Sequence, residues 1–340
     1  MRIGDRKTNH TPAENGAGER GVGRLWRPGR SIGQTGRNPI FLSLVSTAVL
    51  VVVGGIIFPQ IFSLNYLMHQ LQIASFLGIA ATGAMLVILI GGIDLSLPWT
   101  LTAAAIISSA LSERGVLISV GVGLLVGIAA GLTNGLGAAI LRIPSIIWSL
   151  AVNFIFLGVC VFITGGFMPQ GHPTAVIKTI GIGRTLGVPN IVLFWCVLAF
   201  FIIMTLNRTR FGRSIYAVGL NEEVSFLSGI RTRRVIITIF MMAGICSALT
   251  GIMLSGYSNQ AFQAMGDPYL IPAIAAVVIG GTSISGGRGS YAGTIIGVIF
   301  ITYLSSLLAV LQVPEAGRQI LLGVIIIAMT LSHSRRKEES

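Results

Sequence analysis

VILIGGIDLSLPWTL, residues 87–101, decides how the rest of the chain is read. It closes a stretch, Asn38 to Ile93, that holds no Asp, Glu, Lys or Arg, and then places one carboxylate, Asp94, between a Gly-Gly pair and Ser-Leu-Pro. An apolar run of that length is a multiple of the ~20 residues an α-helix needs to cross a bilayer. The chain must therefore stop a helix inside or at the edge of a membrane, turn, and start another.

Composition extends that reading to the whole chain. Hydrophobic residues are 53% and charged residues 10% of the 340, where a water-soluble domain carries about a quarter charged residues. Mean hydropathy is +0.84. Charge clusters, Gly/Pro punctuation and length place spans near 40–58, 66–90, 96–112, 116–140 and 145–165, then 189–206, 234–256, 268–284, 290–311 and 317–332. The fold class expected is an all-α polytopic membrane bundle of about ten helices. Gly91-Gly92 and Pro98 mark a break, so that 66–90 and 96–112 read as broken or partly re-entrant.

Lys and Arg set the orientation. With ten spans and a cytoplasmic start, 19 of the 23 basic residues fall in inner segments; only Arg114, Lys178, Arg184 and Arg318 fall outside. This is the positive-inside bias. Residues 1–37 then form a basic, Gly-rich cytoplasmic tail with no early apolar core, and so no cleaved signal peptide. Residues 38–332 form the transmembrane domain, with a cytoplasmic loop at 207–234, and 333–340 a cytoplasmic C-terminal tail. The +12 net charge is accounted for by topology and contact with anionic membrane lipids, not nucleic acid. Cys160, Cys196 and Cys246 are isolated and the four histidines do not cluster, so neither a metal nor a cofactor is expected.

Forty-four glycines suit either close helix packing in lipid or hinging. GVGLLVGIAAGLTNGLG, 121–137, repeats Gly at three- and four-residue spacing. Gln72, Asn134 and Asn153 either line a path or bond helix to helix, and Trp148 and Phe154 either stack on a solute or pack.

The opening stretch has an echo, GGTSISGG at 280–287. Aligning Gly91-Gly92 with Gly280-Gly281 sets Asp94 over Ser283 and Ser96 over Ser285, with Gly286 and Gly287 closing the second motif. Gly supplies the positive φ of a helix stop, and Asp or Ser caps the next helix. Asp94 is expected as such a cap; an intramembrane acid is also a functional candidate. The duplication suggests two related halves.

The loop RTRFGRSIYAVGLNEEVSFLSGIRTRR, 208–234, is too short for a domain. Asn221 is placed to cap a two-turn helix, Glu222 and Glu223 favour its first turn, and Gly229 ends it. Val224, Phe226 and Leu227 then form an apolar face, which either docks in a partner's groove or lies on the inner leaflet.

These segments together, VILIGGIDLS (87–96), GIGRTLGVP (181–189), NRTRFGRSIYAVG (207–219), AVGLNEEVSFLSGI (217–230) and IAAVVIGGTSISGGRGSYAGTIIG (274–297), resemble the permease subunits of ribose-type ABC sugar importers, from about residue 60 to 332. The resemblance implies a permease pair, a homo- or heterodimer, carrying a sugar or sugar-like solute across the bacterial cytoplasmic membrane. It also implies two ATPase subunits and a periplasmic or lipid-anchored solute-binding protein, met in part by the outward loop 165–188. It assigns the coupling helix to Asn221–Ile230, including Glu222, Glu223, Phe226, Leu227, Ser228 and Gly229. Pro98-Trp99 stands where the family has small residues. No G-x-x-x-x-G-K-[ST] occurs, so no enzyme activity is expected and ATP must be hydrolysed on another subunit. An ion-coupled secondary transporter is the alternative. An intramembrane hydrolase is disfavoured, since Asp94 and Asp267 are expected at opposite ends of the bundle.

Overall fold

The computed structural model describes residues 39–167, 169 and 171–338; the predicted tail 1–37 lies outside the described residues, as do 339 and 340. Helices stand at all ten expected positions: α1 (Pro39–Ile57), α2 (Leu64–Leu89), α3 (Leu97–Ala110), α4 (Val116–Ala139) and α5 (Ser145–Thr164) in the first part. Beyond them α6 (Ala175–Ile182) and a two-stranded hairpin, β1 (Arg184–Thr185) with β2 (Val188–Pro189), occupy the expected outward loop. Then come α7 (Asn190–Arg208), α8 (Arg210–Leu220), α9 (Glu222–Leu227), α10 (Thr232–Ser258), α11 (Asp267–Ile279), α12 (Tyr291–Val310) and α13 (Glu315–Glu338). The last of these runs into the stretch read as a C-terminal tail.

Six of these helices, α2, α4, α5, α7, α10 and α12, are long and apolar enough to cross a membrane. Two expected spans are shorter than predicted. α3 has 14 residues and α11 has 13, about 20 Å each at 1.5 Å per residue, against a hydrocarbon core of about 30 Å. The span expected at 268–284 ends early because Gly280 and Gly281 close the helix.

α2 is the axis of the bundle. From Ile73 to Leu89 it is apolar nearly all round, as a helix enclosed by others must be, and Phe76, Ile79, Met85, Leu86, Ile88 and Leu89 are all fully buried. α7, α10, α11 and α12 pack around it. Trp195 of α7 lies on Gly78, where any side chain would collide with the indole. The indole N–H donates to Tyr291 Oη (3.1 Å). Thr82 gives its proton to the Gly78 carbonyl (2.7 Å), so Tyr291 donates to Thr82 Oγ1 (2.7 Å). One tyrosine thereby joins α2, α7 and α12.

α4 and α10 approach backbone to backbone. Gly123, Gly127, Gly131 and Gly135, at four-residue spacing, face Ile252, Gly244, Phe240 and Ile237 in antiparallel order. A Cβ on Gly127 would overlap the Gly244 carbonyl, and one on Gly131 the Phe240 carbonyl. Of the two roles open to the 121–137 glycines, the structure shows close packing, the usual association mode where apolar burial alone gives no drive. Gly131→Leu is expected to destabilise by at least the 1–3 kcal/mol typical of overpacking, lowering the unfolding temperature in detergent. Gly121→Ala, with nothing within 4 Å of its Cβ, should not lower that temperature.

Candidate functional site

The backbone between α2 and α3 is not helical, so its N–H groups need partners from elsewhere in the protein. α5 supplies them. Ser145 Oγ accepts from Ile93 N (3.1 Å), Ser149 Oγ from Leu95 N (2.9 Å) and Asn153 Oδ1 from Trp99 N (3.3 Å). These three residues recur every four positions, so they form one stripe along the helix. A polar stripe at that spacing in an otherwise apolar span is a signal the sequence contained and the reading above passed over.

Asp94 is buried beside this break. Its Oδ1 accepts from Ser96 N (2.8 Å), Ser96 Oγ (2.7 Å) and Asn134 Nδ2 (3.2 Å). Asn134 Nδ2 also donates to Ser96 Oγ (2.7 Å), while its Oδ1 is buried without a partner. The expectation that Asp94 caps α3 needs correction. Ser96 holds the N-cap position, with no side-chain cap bond, and Pro98 follows in the first turn. Asp94 instead ties the turn to α4 through Asn134. Gln72 Nε2 donates to the Gly181 carbonyl (2.8 Å) and Trp148 Nε1 to the Thr133 carbonyl (2.9 Å). Of the two roles left open for Gln72, Asn134 and Asn153, all three make bonds between elements.

Asp94 and Asp267 are not held at opposite ends. The Thr102 hydroxyl accepts from Gly266 N (3.1 Å), and a Cβ on Gly266 would strike the Pro98 carbonyl. Because α3 and α11 are both short, their first turns meet.

Both Gly-Gly pairs end helices by the same hydrogen-bond pattern. Gly91 N donates to Ile88 O (2.9 Å) and Gly92 N to Val87 O (3.0 Å); Gly281 N donates to Val278 O (2.9 Å) and Thr282 N to Val277 O (3.2 Å). These are Schellman caps, with the residue after the C-cap at positive φ: Gly91 at 81° and Gly281 at 87°. The sequence alignment was thus one residue out of register, since Gly91 matches Gly281 and not Gly280. Ser283 and Ser285 consequently do not mirror Asp94 and Ser96. Ser285 is exposed, and α12 is capped by Ser290, which accepts from Gly293 N (3.2 Å).

The two turns touch each other and α8. Gly287 N donates to Leu89 O (2.9 Å), satisfying one of the carbonyls that α2 leaves free at its end. Gly286 (φ 81°) lies against Gly91 and the Gly219 carbonyl. Tyr216 Oη donates to the Gly289 carbonyl (3.0 Å), and burial raises the phenol's proton affinity so that it stays a donor. Neither Tyr216 nor Gly219 was singled out from the sequence.

α9 follows at once. Asn221 Oδ1 accepts from Val224 N (3.0 Å), the expected cap, with Glu222 and Glu223 in the first turn. Gly229 (φ 84°) ends the helix, with Gly229 N on Phe226 O (2.9 Å) and Ile230 N on Ser225 O (3.1 Å). The Ser228 hydroxyl is turned back onto Val224 O (2.8 Å). Val224, Phe226 and Leu227, with Leu220 of α8, are exposed, a set of apolar side chains unusual outside a contact surface.

A cavity of about 450 Å³ lies among α2, α10, α11, α12 and α13, walled by residues such as Leu77, Tyr257, Pro272 and Leu322. Its hydroxyls are partly committed: Thr302 donates to Val298 O (2.8 Å) and Ser306 to Gln70 Oε1 (2.8 Å). Among the described residues no His, Cys, Asp and Glu gather in a group able to hold a metal.

With this geometry in hand, the comparisons are specific. The family model for the branched-chain amino acid transport system permease component matches residues 66–330. The ribose import permease protein RbsC of Escherichia coli K12 is 34% identical over 300 residues, 87% of this chain and 94% of that one. The probable ABC transporter permease protein YphD of the same strain is 34% identical over 292 residues, 85% and 88% of the two chains. The autoinducer 2 import system permease protein LsrC of Shigella flexneri is 31% identical over 295 residues, 86% of each. No solved structure matches the chain significantly. The chain belongs to this family of ABC importer permeases, as its motifs led one to expect, and is a multi-pass membrane protein.

Asp94→Ala removes the acceptor of three buried donors, each costing about 1–3 kcal/mol when left unpaired. It should lower the detergent unfolding temperature clearly, whereas Asp94→Asn, which retains an acceptor oxygen, should lower it less. Equal thermal shifts for the two variants would contradict this account.

Proposed function

We propose that this chain forms the translocation path of an ATP-driven, binding-protein-dependent importer for a sugar or sugar-like solute. The observation that carries the solute class is the 34% identity to a ribose import permease across 94% of that protein's length. The family is described by branched-chain amino acid transport, but RbsC and LsrC are named for the import of ribose and of autoinducer 2. Their cargoes, rather than amino acids, guide the present reading. The cavity has mostly apolar walls, with Tyr257, Tyr269, Ser305 and the Glu315–Arg318 ion pair (3.0 Å) as polar groups beside the bonded Thr302 and Ser306. Selectivity is assigned in this proposal to a separate binding protein that delivers the solute.

In this proposal α1, α2, α4, α5, α7, α10, α12 and α13 cross the membrane as helices, the short α3 and α11 cross together with the non-helical chain that leads into them, and both termini lie in the cytoplasm. The distribution of Lys and Arg supports that orientation. It places α8, α9 and both Gly-Gly turns on the cytoplasmic side of a bacterial cytoplasmic membrane.

There α9 serves as the coupling helix. A six-residue helix has no stability of its own; Asn221 at one end and Gly229 at the other hold it in shape. Its exposed Phe226 and Leu227 fit the groove of a cytoplasmic ATPase subunit, with Glu222 and Glu223 at the rim. The chain pairs with a second permease, and ATP is hydrolysed on the ATPase alone.

The tagged chain, purified in mild detergent from its native host, should carry with it an ATPase identifiable by mass spectrometry. Glu222→Lys combined with Glu223→Lys, or Phe226→Asp alone, should reduce that recovery at least tenfold without lowering the amount of permease. Recovery of no ATPase by the unaltered chain, with uptake abolished by ionophores, would transfer the reading to ion-coupled transport.

A further inference from the structure

The two Gly-Gly turns and α8 meet in a junction of three backbones that the coupling reading does not by itself explain. α8 ends at Leu220 and α9 begins at Glu222, so one extended residue, Asn221, separates them. α8 is therefore held to α9 more closely than any other element on that side. Its inner face is seated hard: Gly212, Ile215 and Val218 are buried.

At its last turn the seat is backbone on backbone. A Cβ at Gly219 would collide with the Leu89 carbonyl oxygen, and the same Cβ would stand 2.6 Å from Gly287 N. Gly219 thus lies directly over the Gly287 N to Leu89 O hydrogen bond (2.9 Å) that joins the second turn to the end of α2. Leu220 closes over Gly287, where a Cβ would meet Leu220 Cγ at 2.6 Å. Tyr216, one turn earlier, pins the far end of the same segment through the Gly289 carbonyl (3.0 Å). On the other flank of α9, a Cβ at Gly229 would meet no atom within 4 Å.

We propose that α8 is the lever that carries displacement of α9 into the bundle, and that Tyr216, Gly219 and Gly287 are its bearing. This rests on reading α9 as the helix that docks on the ATPase. Close-packed backbone transmits displacement because it has no side-chain slack to absorb it. The bearing contacts the end of α2 and the α11–α12 connection together. α2 in turn packs against α7, α10, α11 and α12, so movement of one short helix reaches most of the bundle. Tyr216, Gly219 and Gly287 are positioning residues and touch no solute.

The test uses the assembled permease–ATPase complex in a Cys196→Ser background, with Ser285→Cys as a reporter, since Ser285 is exposed and Cys160 and Cys246 are buried. Maleimide labelling is timed with and without Mg-ATP plus vanadate, and basal ATP hydrolysis is recorded alongside. In the parent complex the labelling rate should change at least fivefold on trapping. Gly219→Ala and Tyr216→Phe should keep ATPase recovery and basal hydrolysis while that change falls below twofold. A full change retained in both variants, or no change in the parent, overturns the proposal. If Gly219→Ala does not accumulate, Tyr216→Phe, which removes a single hydroxyl, decides by the same criterion. Failure of the unaltered chain to recover an ATPase would overturn the docking reading first, and is distinguishable because no variant is involved.

Discussion

Peptide groups in hydrocarbon have no water to bond, and this constraint organises the centre of the molecule. The chain leaves helical geometry after Leu89 and regains it at Leu97. In between, Ser145 and Ser149 of α5 accept from the N–H groups of Ile93 and Leu95, Asn153 accepts from Trp99 N in the first turn of α3, and Asp94 and Asn134 fasten the same segment to α4. The break exists because two neighbouring helices were built to receive it. It shortens α3 and lets the first turns of α3 and α11 meet, so the irregular backbone lies inside protein and not against lipid.

The second organising feature is the absence of side chains where helices cross. Apolar burial does not separate a folded bundle from loose helices in lipid; contact distance does. The Gly123–Gly135 row on α4 and Gly244 on α10 bring carbonyls and Cα atoms together. The same device recurs at Gly219, Gly286 and Gly287, but there it joins a helix outside the main bundle to the ends of helices within it. One composition thus yields both a rigid core and a rigid connection to the surface.

α9 differs from everything around it. Six residues cannot sustain a helix in water, so its persistence depends on Asn221, on the glycine stop at Gly229 and on the seated α8 beside it. Its exposed phenylalanine and leucine cost solubility unless another protein covers them. Placed next to a core that packs without slack, such a helix is suited to relay movement rather than to bind solute.

Much was legible beforehand because the signals are local. Helix positions follow from runs of apolar residues bounded by charge, Gly and Pro; the α9 cap and stop follow from Asn221 and Gly229 alone. Asp94 shows where local reading ends. Its place before Ser96 and Pro98 matches a capping pattern, and it does bond Ser96, yet it also accepts from Asn134, forty residues away, and no periodicity carries that information. The Gly-Gly echo was visible, but its register was set by which glycine takes positive φ at each helix end, Gly91 in one and Gly281 in the other. The sequence alone determined a polytopic helical membrane protein, its punctuation and its short capped loop helix, because those depend on neighbours along the chain. Only the tertiary structure decided that both turns and Gly219 share one junction and that α3 and α11 start together, because backbone contacts between distant segments leave no pattern beyond a glycine.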